Sequence, residues 1–222
     1  MTLSLKIAWN TGVQLFGRAL KMGINIGLVY FATRLLGPEG LGRYETIFTY
    51  VAFFELIADM GLNTVITKWV SRDEQRGVAI ISNILGIRFV LSSVMVVLIF
   101  ASLFLFPQYS LDEKYGIALA SISSVAILFN AIMMGIFQVK LKMEKQVIGD
   151  LIGGLVTFGL VVVTWFVKGN LLMVVGARVI GNIVWFLVTL YYGRKFFRFQ
   201  IIFIYSKSLH CIIGIITQII MR

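Results

Sequence analysis

The chain has 222 residues, of which 59% are hydrophobic and only 14% are charged, and its formal net charge is +10. Soluble domains carry about 25% charged residues, so this composition and a mean hydropathy of +0.93 exclude a soluble globule and indicate a membrane protein. One cysteine, Cys211, excludes an internal disulfide, and beside the single histidine, His210, it leaves too few ligands for an expected metal site.

Six apolar runs are long enough to cross a hydrocarbon core of roughly 30 Å, which takes about 20 helical residues. Runs of this length without alternating polarity suit helices, which satisfy their own backbone hydrogen bonds in lipid. The sequence therefore predicts an all-α, polytopic membrane protein with six transmembrane helices and short polar connections. In chain order the predicted spans are 12–36, 44–68, 78–106, 115–139, 147–167 and 171–192.

A seventh apolar run begins near Leu209 and stops at Arg222. It reaches only some 21 Å as a helix, too short to span, so we expect a truncated seventh helix and a fragment of a longer protein. The expected organisation is a six-helix transmembrane unit over residues 1–198, followed over 199–222 by the start of the seventh helix.

The Lys and Arg residues between the spans are divided unequally between alternate segments. Cytoplasmic segments of membrane proteins are richer in both residues, so we expect the richer set to be cytoplasmic. This places the N-terminus in the cytoplasm of a multi-pass protein of the inner or plasma membrane. The richer set holds Lys6, Lys68, Arg72, Arg76, Lys140, Lys142, Lys145, Arg194, Lys195, Arg198 and Lys207, and the poorer set holds Arg34, Arg43, Lys114 and Lys168.

Two pairs of glycines are spaced four residues apart inside predicted spans. They are Gly23 with Gly27 and Gly149 with Gly153. Such spacing lets helix backbones approach closely in lipid, so we expect tight helix packing at both pairs. Chance spacing is the alternative, because the chain has 21 glycines.

The first predicted span carries four polar residues, Gln14, Arg18, Lys21 and Asn25, separated by four, three and four positions. This spacing places them on one face of a helix. A charge at the bilayer centre costs between about 3 and 17 kcal/mol, so we expect this face to line a polar cavity. In the alternative, Arg18 and Lys21 lie near the cytoplasmic end and extend to the lipid headgroups.

Two further arginines lie inside predicted spans. Arg88 is ten residues into the third span, roughly 15 Å deep, and is a candidate cation lining the same cavity. Arg178 is seven residues into the sixth span, where extension to the headgroups explains it nearly as well as a functional role.

The second predicted span holds two carboxylates, Glu55 and Asp59, one helical turn apart. Neighbouring carboxylates repel each other, which makes them candidates for ion coupling through proton exchange. The alternative is that they form structural ion pairs with Arg18, Lys21 or Arg88.

Catalytic motifs are absent from the sequence. It contains no glycine-rich phosphate loop, no Ser-His-Asp set and no carboxylate cluster in a loop. The predicted loops are also too short to hold an enzyme domain. We therefore expect a protein that is not an enzyme and that uses no cofactor.

The stretch 34–44, RLLGPEGLGRY, resembles the RxLGPxGxGxY signature of the polysaccharide flippases, the Wzx-type exporters of O-antigen and teichoic acid. These proteins belong to the multidrug/oligosaccharidyl-lipid/polysaccharide superfamily. Residues 57–62 with Arg72 and Asp73 are similar to the family's second helix and following loop, and 216–222 to its seventh helix, although His210 stands where the family usually has a proline. The motif residues, with a structural role, are Gly37, Pro38, Gly40 and Gly42.

The resemblance covers the whole chain but only about the first half of the family's length. It implies two lobes of six helices, with this chain as the N-terminal lobe, and alternating-access transport of isoprenoid-diphosphate-linked oligosaccharides. The implied partners are this lipid-linked oligosaccharide, membrane lipid, and a missing C-terminal lobe or a second copy, with no nucleic acid. The implied diphosphate-binding cations are Arg18, Lys21 and Arg88, followed by Arg178, Gln14 and Asn25 as further cavity residues.

Two other functions stay open at this point. The first is a proton- or sodium-coupled drug or cation antiporter of the same superfamily, in which Glu55 and Asp59 would exchange the ion. Such a protein should have a cavity dominated by carboxylates, whereas the polar face of the first span is cationic. The second is a non-transporting membrane protein of a glycan pathway.

Overall fold

The computed structural model describes residues 3–59, 77–106 and 109–194 of the chain. Within these ranges the regular structure is entirely α-helical, and it comprises five helices that are long and apolar enough to cross a membrane. The predicted all-α, polytopic membrane fold is therefore confirmed. The helices are α1 (Leu3–Asp59), α2 (Gly77–Leu105), α3 (Leu111–Val139), α4 (Met143–Phe166) and α5 (Leu171–Gly193).

The predicted count of six separate helices does not match the described residues. The predicted span 12–36 and the described part of the predicted span 44–68 both fall in α1, a helix of 57 residues whose one non-helical residue is Gly37 (φ 69°, ψ 176°). Residues 60–68 of that span lie outside the described residues. The polar stretch after Gly37 is helical rather than a loop, because Pro38 has the fixed φ that suits the first turn of a helix. The predicted seventh run lies outside the described residues.

The kink at Gly37 divides α1 into a first arm (residues 3–36) and a second arm (residues 38–59). The first arm starts at the turn between α3 and α4, where the Asn10 carboxamide accepts a hydrogen bond from the Met143 backbone at 2.9 Å. It reaches the far end of α4, where Phe31 meets the Trp165 ring edge to face at 5.6 Å. The first arm therefore runs parallel to α4.

The second arm runs in the opposite direction. Near its beginning, Ile47 packs directly on Gly116 at the start of α3. Near the end of the second arm, Asp59 contacts the Arg88 side chain of α2, which also contacts Leu128 of α3. The second arm thus returns along α3 towards the turn from which the first arm left, so α1 passes along the bundle twice.

Local sequence defines where the other helices begin. Ser110 and Glu113 form a capping box at the start of α3, in which the Ser110 backbone donates to the Glu113 carboxylate at 2.7 Å. At the start of α5 the Asn170 carboxamide accepts from the Met173 backbone at 3.1 Å. These caps mark where α3 and α5 begin, and the contacts between helices make α2 antiparallel to α3 and α4 antiparallel to α5.

Helices α4 and α5 approach closely because small residues face each other. A Cβ atom on Gly153 would lie 2.7 Å from both the Gly181 carbonyl oxygen and the Trp185 Cβ, and one on Gly149 would lie 2.6 Å from Thr189 Cγ2. The expected tight packing at this glycine pair is present. Many large apolar side chains of the described helices are exposed, which suits contact with lipid.

The other glycine pair behaves differently. A Cβ on Gly27 would lie 2.9 Å from the Phe158 ring of α4, whereas one on Gly23 would meet nothing within 4 Å. Of these two glycines, only Gly27 packs closely against α4.

Candidate functional site

A cavity of about 460 Å³ lies between the two arms of α1 and helices α4 and α5. Its volume falls in the range of about 300–1,000 Å³ found for small-molecule sites. The lining combines two cations, two carboxylates, amides and small residues. It comprises Lys21, Asn25, Leu28, Val29, Tyr44, Glu45, Asp150, Gly153, Gly154, Thr157, Arg178, Gly181, Asn182 and Trp185.

Lys21 is the first cation of this cavity. Its ammonium group donates a hydrogen bond to the Asp150 carboxylate and lies 5.2 Å from the centre of the Trp185 ring. The side chains of Lys21 and Asp150 are 36% and 27% exposed, so the pair is open to the cavity. Lys21 thus lies in the lining of the cavity, with Asp150 as its partner.

Arg178 is the second cation. Its guanidinium donates to the Tyr44 hydroxyl at 3.2 Å and lies 4.0 Å above the Phe48 ring. Glu55 lies near enough to interact with it electrostatically, but within the described ranges no carboxylate lies at salt-bridge distance from Arg178. Its position is therefore fixed mainly by aromatic rings, and several of its N–H groups are available to a ligand.

The polar face of the first arm is divided between three environments. Asn25 lines the cavity beside Lys21. Arg18 is exposed on the surface of the described chain. Gln14 is half-buried, and its side-chain amide donates to the Asn10 backbone carbonyl at 3.2 Å. The structure therefore brings Lys21 and Asn25 together with Arg178 but leaves Arg18 and Gln14 outside the cavity lining.

Arg88 does not line this cavity. It is fully buried, and its guanidinium donates to the Leu128 carbonyl at 2.9 Å and to the Asp59 carboxylate at 2.6 Å. A longer contact of 3.5 Å reaches the Ala58 carbonyl. This geometry corresponds to a structural ion pair between α2 and the second arm, so substrate contact by Arg88 stays a prediction.

The two candidate coupling carboxylates occupy separate environments. Asp59 is held by Arg88, whereas Glu55 is half-buried beside the Ser124 hydroxyl. Neither is among the residues that line the described cavity. The candidate role of Glu55 and Asp59 in ion coupling therefore also stays a prediction.

The glycine- and proline-containing motif forms the reversal of α1. Gly37 adopts the positive φ, Pro38 starts the second arm, and a Cβ on Gly40 would lie only 2.8 Å from Leu36 Cβ. Gly42 has open space around it, and Arg43 pairs with Glu39 at 2.7 Å on the outer face. The motif thus has a structural role, since it lets the chain turn back within a few residues.

Several cavity residues were not predicted as site residues, and Asp150 is the clearest case. It is the one charged residue in the predicted span 147–167, and this isolation was a usable signal. Tyr44 and Glu45 carried no such signal, because polar residues near span ends are common. Asn182 lies in the middle of the predicted span 171–192, and its position there was also a usable signal. A tryptophan such as Trp185 is typical of the aromatic belt at the membrane interface, whereas here it lies in the cavity.

Comparison with known proteins bears on both the motif and the membrane-spanning helices. A family model described as "Polysaccharide biosynthesis protein" matches residues 5–217. The chain belongs to this family. No curated protein and no solved structure matches the chain.

Membership in the polysaccharide biosynthesis family confirms the resemblance that the 34–44 motif indicated. The chain is thus a multi-pass membrane protein of a polysaccharide-related family. Its cavity between spanning helices combines cations, carboxylates, amides and a tryptophan.

Proposed function

We propose that the protein is the N-terminal lobe of a flippase that exports isoprenoid-diphosphate-linked oligosaccharides for cell-surface polysaccharides. The observation that supports this most directly is a polar cavity, containing Lys21 and Arg178, between membrane-spanning helices of a polysaccharide biosynthesis family member. The protein would act by alternating access in the plasma membrane, with its N-terminus in the cytoplasm, and would catalyse no covalent chemistry.

The two cations that line the cavity support an anionic headgroup as the cargo. Cations within a membrane are costly unless they face water, a counter-charge or a ligand. Arg178 has N–H groups left over for bidentate contacts to phosphate oxygens, and Lys21 offers a compact point charge. The amides of Asn25 and Asn182 line the same cavity and suit the hydroxyl groups of a sugar.

The exposed part of the polar face supports a second lobe as partner. Among the described residues Arg18 is exposed on the first arm, and a charge that faced lipid there would cost several kcal/mol. A C-terminal lobe, or a second copy of this chain, would cover it and close the far side of a transport path. Arg18 would then offer a further cation to the passing diphosphate.

Deletion of the coding gene in its own host tests this function. Cells without the protein should accumulate lipid-linked oligosaccharide in the cytoplasmic leaflet, where its glycan is protected from membrane-impermeant periodate. The wild-type gene should restore periodate sensitivity. An unchanged distribution of the glycan would contradict the proposal, and increased drug sensitivity in its place would favour the antiporter.

A further inference from the structure

The Lys21–Asp150 pair lies in the lining of the cavity rather than in the core of the bundle. Both side chains remain about one-third exposed, and both are lining residues. A carboxylate that reaches a cavity cation occupies the place that an anionic ligand would otherwise take. Because the pair is open to the cavity, an incoming phosphate oxygen can exchange with the carboxylate without unfolding its surroundings.

The backbones that carry this pair are firmly placed. Gly149 and Gly153, on either side of Asp150, lie in close contact with Thr189 and Trp185 of α5. The first arm packs on α4 as well, where Val147 would contact a Cβ built on Gly17. Separation of Lys21 from Asp150 therefore requires a change of side-chain rotamer rather than a movement of helices.

The Trp185 ring keeps the ammonium group in place when the carboxylate leaves. It lies 5.2 Å from Lys21 Nζ, a distance at which an aromatic face attracts a cation. Arg178 offers a second positive charge to the same cavity, without a salt bridge of its own within the described residues. A ligand anion therefore meets two cations, of which one is occupied by Asp150.

We infer that Asp150 is an internal competitor for the diphosphate at Lys21, resting on the proposed function. In the empty cavity its carboxylate holds Lys21. The diphosphate of the lipid-linked oligosaccharide displaces it when the substrate binds, and its return to Lys21 assists release. Asp150 thus sets the affinity of the site so that the carrier can both bind and leave.

Equilibrium dialysis of the purified full chain in non-ionic detergent tests this role. The probes are radiolabelled geranyl diphosphate and inorganic pyrophosphate, so that headgroup binding is separated from binding of the lipid. Asp150→Asn should lower the Kd for both probes by about two- to fivefold, since it removes the competing charge. Glu45→Gln, which removes another cavity carboxylate, is the matched control. It should change the Kd by a smaller factor than Asp150→Asn does.

The dependence on Lys21 separates competition from general repulsion. Lys21→Met alone should raise the Kd, and Asp150→Asn should lower the Kd by a smaller factor in the Lys21→Met background than in wild type, because only the repulsion of an unpaired carboxylate is then removed. A Kd in Asp150→Asn that equals or exceeds that of wild type would overturn the inference. An equal factor with and without Lys21 would overturn it as well, because the carboxylate would then act through the field of the cavity alone.

Two outcomes distinguish this inference from the proposed function. If Lys21→Met weakens binding while Asp150→Asn leaves it unchanged, only the inference fails. If neither the wild-type chain nor any variant binds either probe, the proposed function fails and the inference with it.

Asp150→Ser is a second substitution that tests whether Asp150 is needed for folding. If neither Asp150→Asn nor Asp150→Ser elutes as folded protein, Asp150 is a structural partner and the inference is wrong.

Discussion

The Arg88 guanidinium is surrounded by acceptors in the core of a membrane protein. It contacts the Leu128 and Ala58 carbonyls as well as the Asp59 carboxylate. Removal of one partner from such a buried pair leaves the remaining polar groups without their donor, which costs about 3–5 kcal/mol. Arg88 therefore joins α2, α3 and the second arm at one point.

Arg88→Leu should accordingly lower the free energy of unfolding by about 3–5 kcal/mol. Thermal unfolding of the purified protein in detergent measures this effect. Arg18→Leu is the matched control, because Arg18 is exposed, and its midpoint should stay close to that of wild type. A stable, well-folded Arg88→Leu protein that had lost transport would instead support direct contact of Arg88 with substrate.

For individual residues, the sequence predicted positions better than partners. Helical spacing correctly placed Lys21 and Asn25 on one face, and both line the cavity. The sequence offers Arg18, Lys21 and Arg88 as possible partners of Asp59, and the structure shows the pair with Arg88. Spacing could not decide between these three, nor show that Arg178 reaches the Phe48 and Tyr44 rings. Those contacts depend on how the helices pack, which local periodicity does not encode.

The reversal of α1 depends on one backbone conformation. Gly37 has φ 69° and ψ 176°, a region that is open almost only to glycine and that costs other residues about 1–3 kcal/mol. Pro38 and Gly40 complete the turn. The Gly and Pro residues predict a loop here because both interrupt helices, but a single non-helical residue is enough to redirect the chain.

Gly37→Ala should therefore destabilise the protein by about 1–3 kcal/mol. Gly42→Ala is the control on the same helix, since a Cβ there meets nothing within 4 Å. Its unfolding midpoint should equal or slightly exceed that of wild type, because alanine favours helix. Equal midpoints for both variants would show that the turn tolerates a side chain at Gly37.

The close approach of α4 and α5 can be tested in the same way. A Cβ on Gly153 would lie 2.7 Å from backbone and side-chain atoms of α5, whereas Gly159 on the same helix has open space. Gly153→Ala should force the helices apart and cost about 1–3 kcal/mol, while Gly159→Ala should not destabilise. The thermal unfolding midpoints of the two variants in detergent measure these effects. A midpoint of Gly153→Ala equal to that of wild type would contradict the close packing of α4 on α5.

The arrangement of the whole molecule follows from the contacts of its ends. The start of the first arm and the α3–α4 turn lie together, since Asn10 bonds to Leu141 and Met143. Lys6 and the lysines of that turn therefore lie at one end of the bundle. Lys168 lies at the other end, beyond Trp165, where the first arm finishes.

Reporter fusions test which of these ends is cytoplasmic. Fusions after Arg76, Lys145 and Arg198 should report the cytoplasm, because the basic residues are concentrated in those segments. Fusions after Glu39, Glu113 and Lys168 should report the outer side. If every fusion reported the opposite side, the proposed orientation would be reversed. If only the fusion after Glu39 departed from the expected result and reported the cytoplasm, α1 would not cross the membrane twice.

The rate at which cells expose lipid-linked glycan to impermeant periodate tests whether the cavity carries the diphosphate. Deletion cells would carry the wild-type gene, the combined Lys21→Met and Arg178→Gln variant, or Lys168→Gln as an exposed loop control. Loss of both cavity cations should slow exposure of the glycan by at least about tenfold, while the Lys168→Gln control keeps the wild-type rate. A folded double variant that exposes glycan as fast as wild type would contradict the role of this cavity in transport.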